Sequence, residues 1–162
     1  MAKKTKPMPV MLTVDGTIQG EDGEDDAIRM VTMGELTAVP GGYVLQYQEA
    51  QQEENGQLVT QDIVLQLQPE RVTMTRVGEF GTSMVFMKDR RFEGIYHTPY
   101  GDMDMAVYAT RVRCDLGDEA GSVHLKYQLE MQGNFTAMHE LRLSYVAGKS
   151  DQGLNTGSKK MA

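Results

Sequence analysis

The chain has 162 residues, the length of one domain, and its 40% hydrophobic and 24% charged content is that of a globular protein able to bury a core without disulfides or metals. A net charge of −7 repels phosphate backbones and sets nucleic acid aside as a partner, while the single cysteine, Cys114, sets aside an intramolecular disulfide and fits a reducing, cytoplasmic location. No apolar run approaches the ~20 residues of a membrane span, and Met8 to Leu12 is too short for the core of a signal peptide.

Residues 1–7 read as a flexible basic tail. From Val10 to Tyr145 apolar and polar residues alternate, and helical periodicity is nearly absent. Val10, Leu12 and Val14 share one face of a first strand. The acidic run Glu21 to Asp26 then reads as a solvated loop, because it lacks the spacing of a calcium site. Ile28 to Val39 is a second strand, ended by Pro40-Gly41-Gly42. Tyr43, Leu45 and Tyr47 line one face of a third, and Asn55-Gly56 marks a hairpin. Val59, Ile63, Leu65 and Leu67 belong to a fourth strand, Arg71 to Val77 to a fifth and Ser83 to Lys88 to a sixth.

The stretch from Arg91 to Tyr108 supplies a seventh and an eighth strand about Thr98-Pro99-Tyr100-Gly101, with Pro at the second turn position and Gly at the fourth. Asp115 to Gly121 is a loop. Val123, Leu125, Tyr127, Leu129 and Met131 alternate with polar residues in a ninth strand. Gly133-Asn134 turns into a tenth, from Ala137 to Tyr145. Residues 147–162 lack a core face and are expected to be disordered, which leaves 8–146 as one domain. The abundant methionines, 13 in all, allow either a soft cavity or a loosely optimised core.

The eighth strand changes sides. Met103, Met105, Val107 and Ala109 are apolar on one face, yet Arg111 and Arg113 continue that face while Val112 and Cys114 are apolar on the other. A β-bulge between Tyr108 and Thr110 restores the register and is the preferred reading. The alternative turns Arg111 inward, where it needs an acidic partner or an anionic ligand.

About ten short strands joined by local turns argue for an antiparallel sandwich or an up-and-down barrel, and closing a barrel removes exposed edges. The F-x-G-x-Y-x-T-P-Y-G-D stretch from Phe92 to Asp102, with Gly81-Thr82-Ser83-Met84 and Tyr127-Gln128-Leu129, resembles the YwiB-like family of small bacterial proteins of unknown function. The resemblance implies an all-β, antiparallel, lipocalin-like (calycin) up-and-down β-barrel of about 8–10 strands, with room for a small-molecule cavity. It implies no catalytic residues.

No metal, cofactor or nucleophile motif stands out. The three histidines lie on separate strands without ligand spacing, and Cys114 with His139 and Asp115 lacks a nucleophile signature. His124 is expected to face water. The carboxylate pairs Glu79 with Glu93 and Asp102 with Asp104 are pairs by sequence only.

The expected ligand contacts are Arg91, Tyr96, Thr98, Tyr100, Arg111, Tyr127 and His139, because tyrosines and arginines at a barrel mouth suit an amphipathic or anionic molecule. The expected function is a non-enzymatic, cytoplasmic binder of a small apolar or amphipathic ligand. The alternative is an interaction or structural module with a filled core. A hydrolase or isomerase of unrecognised type needs a perturbed His or carboxylate in a cleft. Homo-oligomerisation is left open.

Overall fold

The computed structural model describes residues 6–20, 25–52, 55–78 and 81–148. The basic tail up to Thr5, the acidic residues Glu21 to Glu24, Glu79 and the C-terminal segment from Lys149 onward lie outside the described residues.

Ten strands form: β1 (Met8–Gly20), β2 (Asp25–Val39), β3 (Gly42–Gln52), β4 (Leu58–Gln68), β5 (Arg71–Val77), β6 (Thr82–Met87), β7 (Arg91–Thr98), β8 (Gly101–Asp115), β9 (Ala120–Met131) and β10 (Asn134–Ala147). They pair antiparallel in the order β6-β5-β4-β3-β2-β1-β10-β9-β8-β7. Every neighbour in that row is a neighbour in sequence except β1 and β10, so the fold is an up-and-down sheet curled into a nearly closed barrel. Among the described residues no helix is long and apolar enough to cross a membrane.

The expected alternation builds the interior. Val10 and Leu12 on β1, Leu45 on β3, Ile63, Leu65 and Leu67 on β4, Val72 on β5, Phe86 on β6, Val107 on β8, Leu125 on β9 and Leu143 and Tyr145 on β10 are fully buried. Burying a side chain of this kind stabilises by roughly 1.5–3 kcal/mol. The strands run longer than the alternation alone suggests. Asp25 and Asp26 belong to β2 because ladder bonds to Gln19 and Ile18 are made by backbone and tolerate outward-facing charge.

Two bulges re-aim strands. On β8 the register shifts between Ala109 and Arg111, and on β10 between Phe135 and Ala137. Each extra residue is a threonine whose hydroxyl donates to a β9 carbonyl: Thr110 to Lys126 at 3.3 Å and Thr136 to Leu129 at 2.9 Å. The bulge at Thr110 moves the inward set from Met105, Val107 and Ala109 to Val112 and Cys114, which pack on the core. Arg111 is therefore exposed, which corrects the inward alternative.

The β9–β10 turn falls on Gln132 and Gly133 rather than Gly133 and Asn134. Both have positive φ, 53° and 82°, as a two-residue hairpin that follows the sheet twist requires. Gln132 adopts this unusual conformation because its amide and its side-chain oxygen both bond the backbone of Asp104, at 2.8 Å each.

The barrel has two unlike ends. At one, the loop after β8 folds in: the Tyr145 hydroxyl donates to the Gly117 carbonyl at 2.8 Å and accepts from the Gly117 amide at 3.1 Å, and Leu116 packs on the core. Tyr43 bonds Asp118 beside them. Ala147 and Gly148, expected to be disordered, are instead held to Glu119 and Pro9. At the other end lie the β7–β8 and β9–β10 hairpins, and the inner face grows polar.

Candidate functional site

Strand alternation carries the site into the barrel. Following Tyr43, Leu45 and Tyr47 along β3, the next inward residue is Glu49. Following Val72 and Met74 along β5, it is Arg76. The guanidinium Nη1 donates to the Glu49 carboxylate at 2.6 Å, and the two side chains keep 30% and 33% of their surface exposed. Burial opposes the charge on Arg76, but the charge and hydrogen bond of Glu49 outweigh it and raise the pKa, so Arg76 stays a cation.

Across the interior, Tyr127 on β9 stands opposite His139 on β10. Their rings stack with centroids 4.9 Å apart, and the Phe86 ring centroid lies 4.7 Å from that of Tyr127, with the planes tilted by 51°. Tyr47 and Tyr127 are 6% and 8% exposed, and burial, the first cause for each, raises both hydroxyls to about 12. Burial likewise holds the His139 imidazole below its ordinary value, so the ring is neutral at pH 7.

These groups have hydrogen-bonding capacity to spare. Among the described residues, the hydroxyls of Tyr47 and Tyr127, both ring nitrogens of His139, and Nε and Nη2 of Arg76 have no protein hydrogen-bond partner; the one bond of the set is Arg76 to Glu49. Buried tyrosine hydroxyls ordinarily find partners. A Cβ placed on Gly16, an inward residue of β1, meets no atom within 4 Å, so the inner wall is unfilled at that point. The half of the barrel near the hairpins is therefore lined by aromatic rings and by unpaired donors and acceptors.

The wall beside Arg76 is incomplete. β6 and β7 are the two ends of the sheet and share no ladder. A single side-chain bond, Thr82 Oγ1 to the Ile95 carbonyl at 3.1 Å, spans them. An open groove of about 390 Å³ follows this seam, with Arg76 in its lining. A larger hollow of about 490 Å³ lies outside the barrel over β7 and β8, lined by Arg91, Glu93 and Asp104. It holds no unpaired cation, because Arg91 forks onto both oxygens of Glu130 at 2.9 and 3.0 Å and reaches Glu93 at 3.2 Å.

Of the residues expected from sequence, only Tyr127 and His139 are brought together inside. Tyr96 shares the inward parity of β7 with Phe92 and Gly94 but is exposed near the hairpin tip. The Thr98 hydroxyl closes that hairpin, donating to the Gly101 carbonyl at 2.6 Å and accepting from the Tyr100 amide at 3.1 Å. Tyr100 is 99% exposed, Arg111 is exposed and Arg91 lies on the outer face in its ion pairs. His124 is outside, as expected, but bonds Glu140 at 2.6 Å instead of standing free in water. Cys114 and His139 lie towards opposite ends of the barrel, and burial, ahead of Asp115, pushes the thiol up to about 11, away from a reactive thiolate. Glu49 and Arg76 are not among the residues expected from sequence, because charge ordinarily faces water. The signal was the unbroken parity of β3 and β5.

The family model for a domain of unknown function, DUF1934, matches residues 12–143. The crystal structure of the ywiB protein from Bacillus subtilis is similar in fold, with a TM-score of 0.75 over 90% of this chain and 95% of that one at 19% identity. No curated protein matches.

Proposed function

The chain belongs to the DUF1934 family, and from the chemistry of its own barrel we propose that it binds a small amphipathic molecule with an oxyanion head, without chemical conversion. The observation that carries this reading is the set of unpaired polar groups on Tyr47, Tyr127, His139 and Arg76, facing inward beside apolar core. A guanidinium with two vacant donors on one edge suits a carboxylate or a related oxyanion. Tyrosine hydroxyls add orientation, and Phe86 and the aliphatic floor take an apolar body. The inward set offers no activated nucleophile, which favours binding over catalysis, and the location is read as cytoplasmic from the lone cysteine.

Native mass spectrometry of protein purified from its own host tests this. A small acidic molecule that travels with the wild type and is lost from Arg76→Met is the expected result. Protein that carries nothing, and whose melting temperature is unmoved by a panel of carboxylate, sulfonate and phosphate amphiphiles, overturns it.

One feature favours the interaction reading in addition. Met11 on β1 lies opposite Met33 on β2 and Val146 on β10, and with Val31 these side chains are exposed on one outer face. Light scattering that shows a monomer at high concentration removes self-association through that face.

A further inference from the structure

Resting on the binding reading above, we propose that the β6–β7 seam is a lateral portal, through which an amphiphile slides tail first until its oxyanion head meets Arg76.

Ser83, Ile95 and His97 have outward parity, whereas Arg76, Phe92 and Gly94 have inward parity. One open groove thus follows the boundary where β6 and β7 share no ladder and is bordered by residues of both parities. At Gly94 the strand carries no side chain of its own: a Cβ there would lie 3.0 Å from the Phe92 ring and 3.6 Å from the Ser83 carbonyl of β6.

Little holds the seam shut. Every other pair of neighbours is joined by a ladder, such as that running from Val10 and Ala147 to Gly20 and Ala137. β6 and β7 are held by the one bond from Thr82 to Ile95. Local opening follows the line with fewest backbone bonds. At the far end of the seam, the β6–β7 turn is fastened to β8 by the Asp89 amide on the Ala109 carbonyl at 2.8 Å. Parting is thus hinged at the end plugged by Tyr145, and at the end where Arg76 stands it is opposed, among the described residues, by the Thr82–Ile95 bond.

Arg76 borders the groove and also belongs to the inner polar set. Its Nε and Nη2 are unused by protein among the described residues, so an oxyanion halted in the seam finds a two-pronged donor at the inner lip. The opposite order, head first, would carry a charge across Phe86 and Phe92.

The test clamps the seam. Ser83→Cys and Ile95→Cys are introduced together with Cys114→Ala and joined by a bis-maleimide. Thr13→Cys and Ser144→Cys, outward residues opposite one another on the β1–β10 ladder, are joined in the same way as a control. The probe is dansylaminoundecanoate, followed by stopped-flow fluorescence, with circular dichroism to confirm that each clamped protein is folded. The seam clamp is expected to slow both association and dissociation by about tenfold or more, as a gate does, while the equilibrium constant and the control clamp stay near wild type. Rates unchanged by the seam clamp, with the probe still binding, overturn the portal alone. Failure of the probe to bind the unclamped protein overturns the binding reading and the portal with it.

Discussion

Replacing Arg76 and Glu49, singly and together, separates stability from recognition. About two-thirds of each side chain is covered. Removing one partner of a fully buried pair costs ~3–5 kcal/mol and of an exposed pair ~0–1 kcal/mol, so solvent screening at this mouth brings the expected cost of Arg76→Met to roughly 1.5–3 kcal/mol. For a domain of this length that lowers the melting temperature by roughly 3–12 °C. Replacing both residues by methionine removes the stranded carboxylate and is expected to restore stability to within ~1 kcal/mol of wild type, since an apolar pair of similar volume serves as well. Binding of the dansyl amphiphile is nonetheless lost in that double variant. Glu49→Gln acts in the other direction: it removes the negative charge beside the guanidinium and tightens the same probe while lowering stability. The assays are urea denaturation and probe titration on the same preparations. If Arg76→Met costs less than ~0.5 kcal/mol and the double variant gains nothing over it, the pair is solvated and the reasoning from a partly desolvated site fails.

Four further outcomes are expected. Gly34→Ala places a methyl 2.6 Å from the Gln46 carbonyl and 2.9 Å from Leu12 Cδ1, and backbone cannot give way there, so it costs about 1–3 kcal/mol in urea denaturation; Gly16→Ala meets nothing and stays near neutral, and equal effects of the two would contradict the packing described. Tyr145→Phe strands both the amide and the carbonyl of Gly117, costing about 1–3 kcal/mol without weakening probe binding, and a matching loss of binding would show that the plugged end is not separate from the site. Burial holds folded His139 below 6.5, so below that pH the unfolded chain takes up a proton that the folded chain resists. Its contribution to stability is whole above pH 6.5 and falls as pH drops towards the folded value. His139→Phe, which keeps a ring on Tyr127, is expected to flatten the melting curve against pH just below 6.5, and an unchanged slope speaks against it. Glu140, held below 4.5 by its bond from His124, and Glu130, held below 4.5 by Arg91, contribute stability above that value and lose it in a separate, more acid window.

The architecture was legible because a strand declares its two faces directly. Val123 to Met131 or Tyr43 to Tyr47 needs no partner to show which side is buried, and even the slip at Thr110 could be read from Val112 and Cys114 changing sides. The site was much less legible. Arg76 and Glu49 break the rule that charge faces out, and what allows them inward is a partner on a strand far away in sequence. Conversely, Arg91 and Tyr100 carry suggestive chemistry, but Glu130 occupies the first and the hairpin tip holds the second in solvent. The missing ladder between β6 and β7 had no signature either, since two consecutive strands joined by a short turn ordinarily pair.

The β1–β10 ladder gives the chain an unusual assembly problem. Apart from that ladder, the sheet consists of two local meanders, β1 to β6 and β7 to β10, whose other shared boundary is the weakly bonded seam. The whole enclosure is thus stapled by contacts between residues at opposite extremes of the sequence, the slowest kind to form. During synthesis the first meander must wait, with the edge of β1 bare, until β10 leaves the ribosome. Joining Pro9 to Gly148, whose backbones already touch at 2.8 Å, and cutting the chain beyond Asp89 would make every ladder local. Such a permutant is expected to fold faster than the natural chain and to carry its bare edges, β7 and β6, at its own two ends.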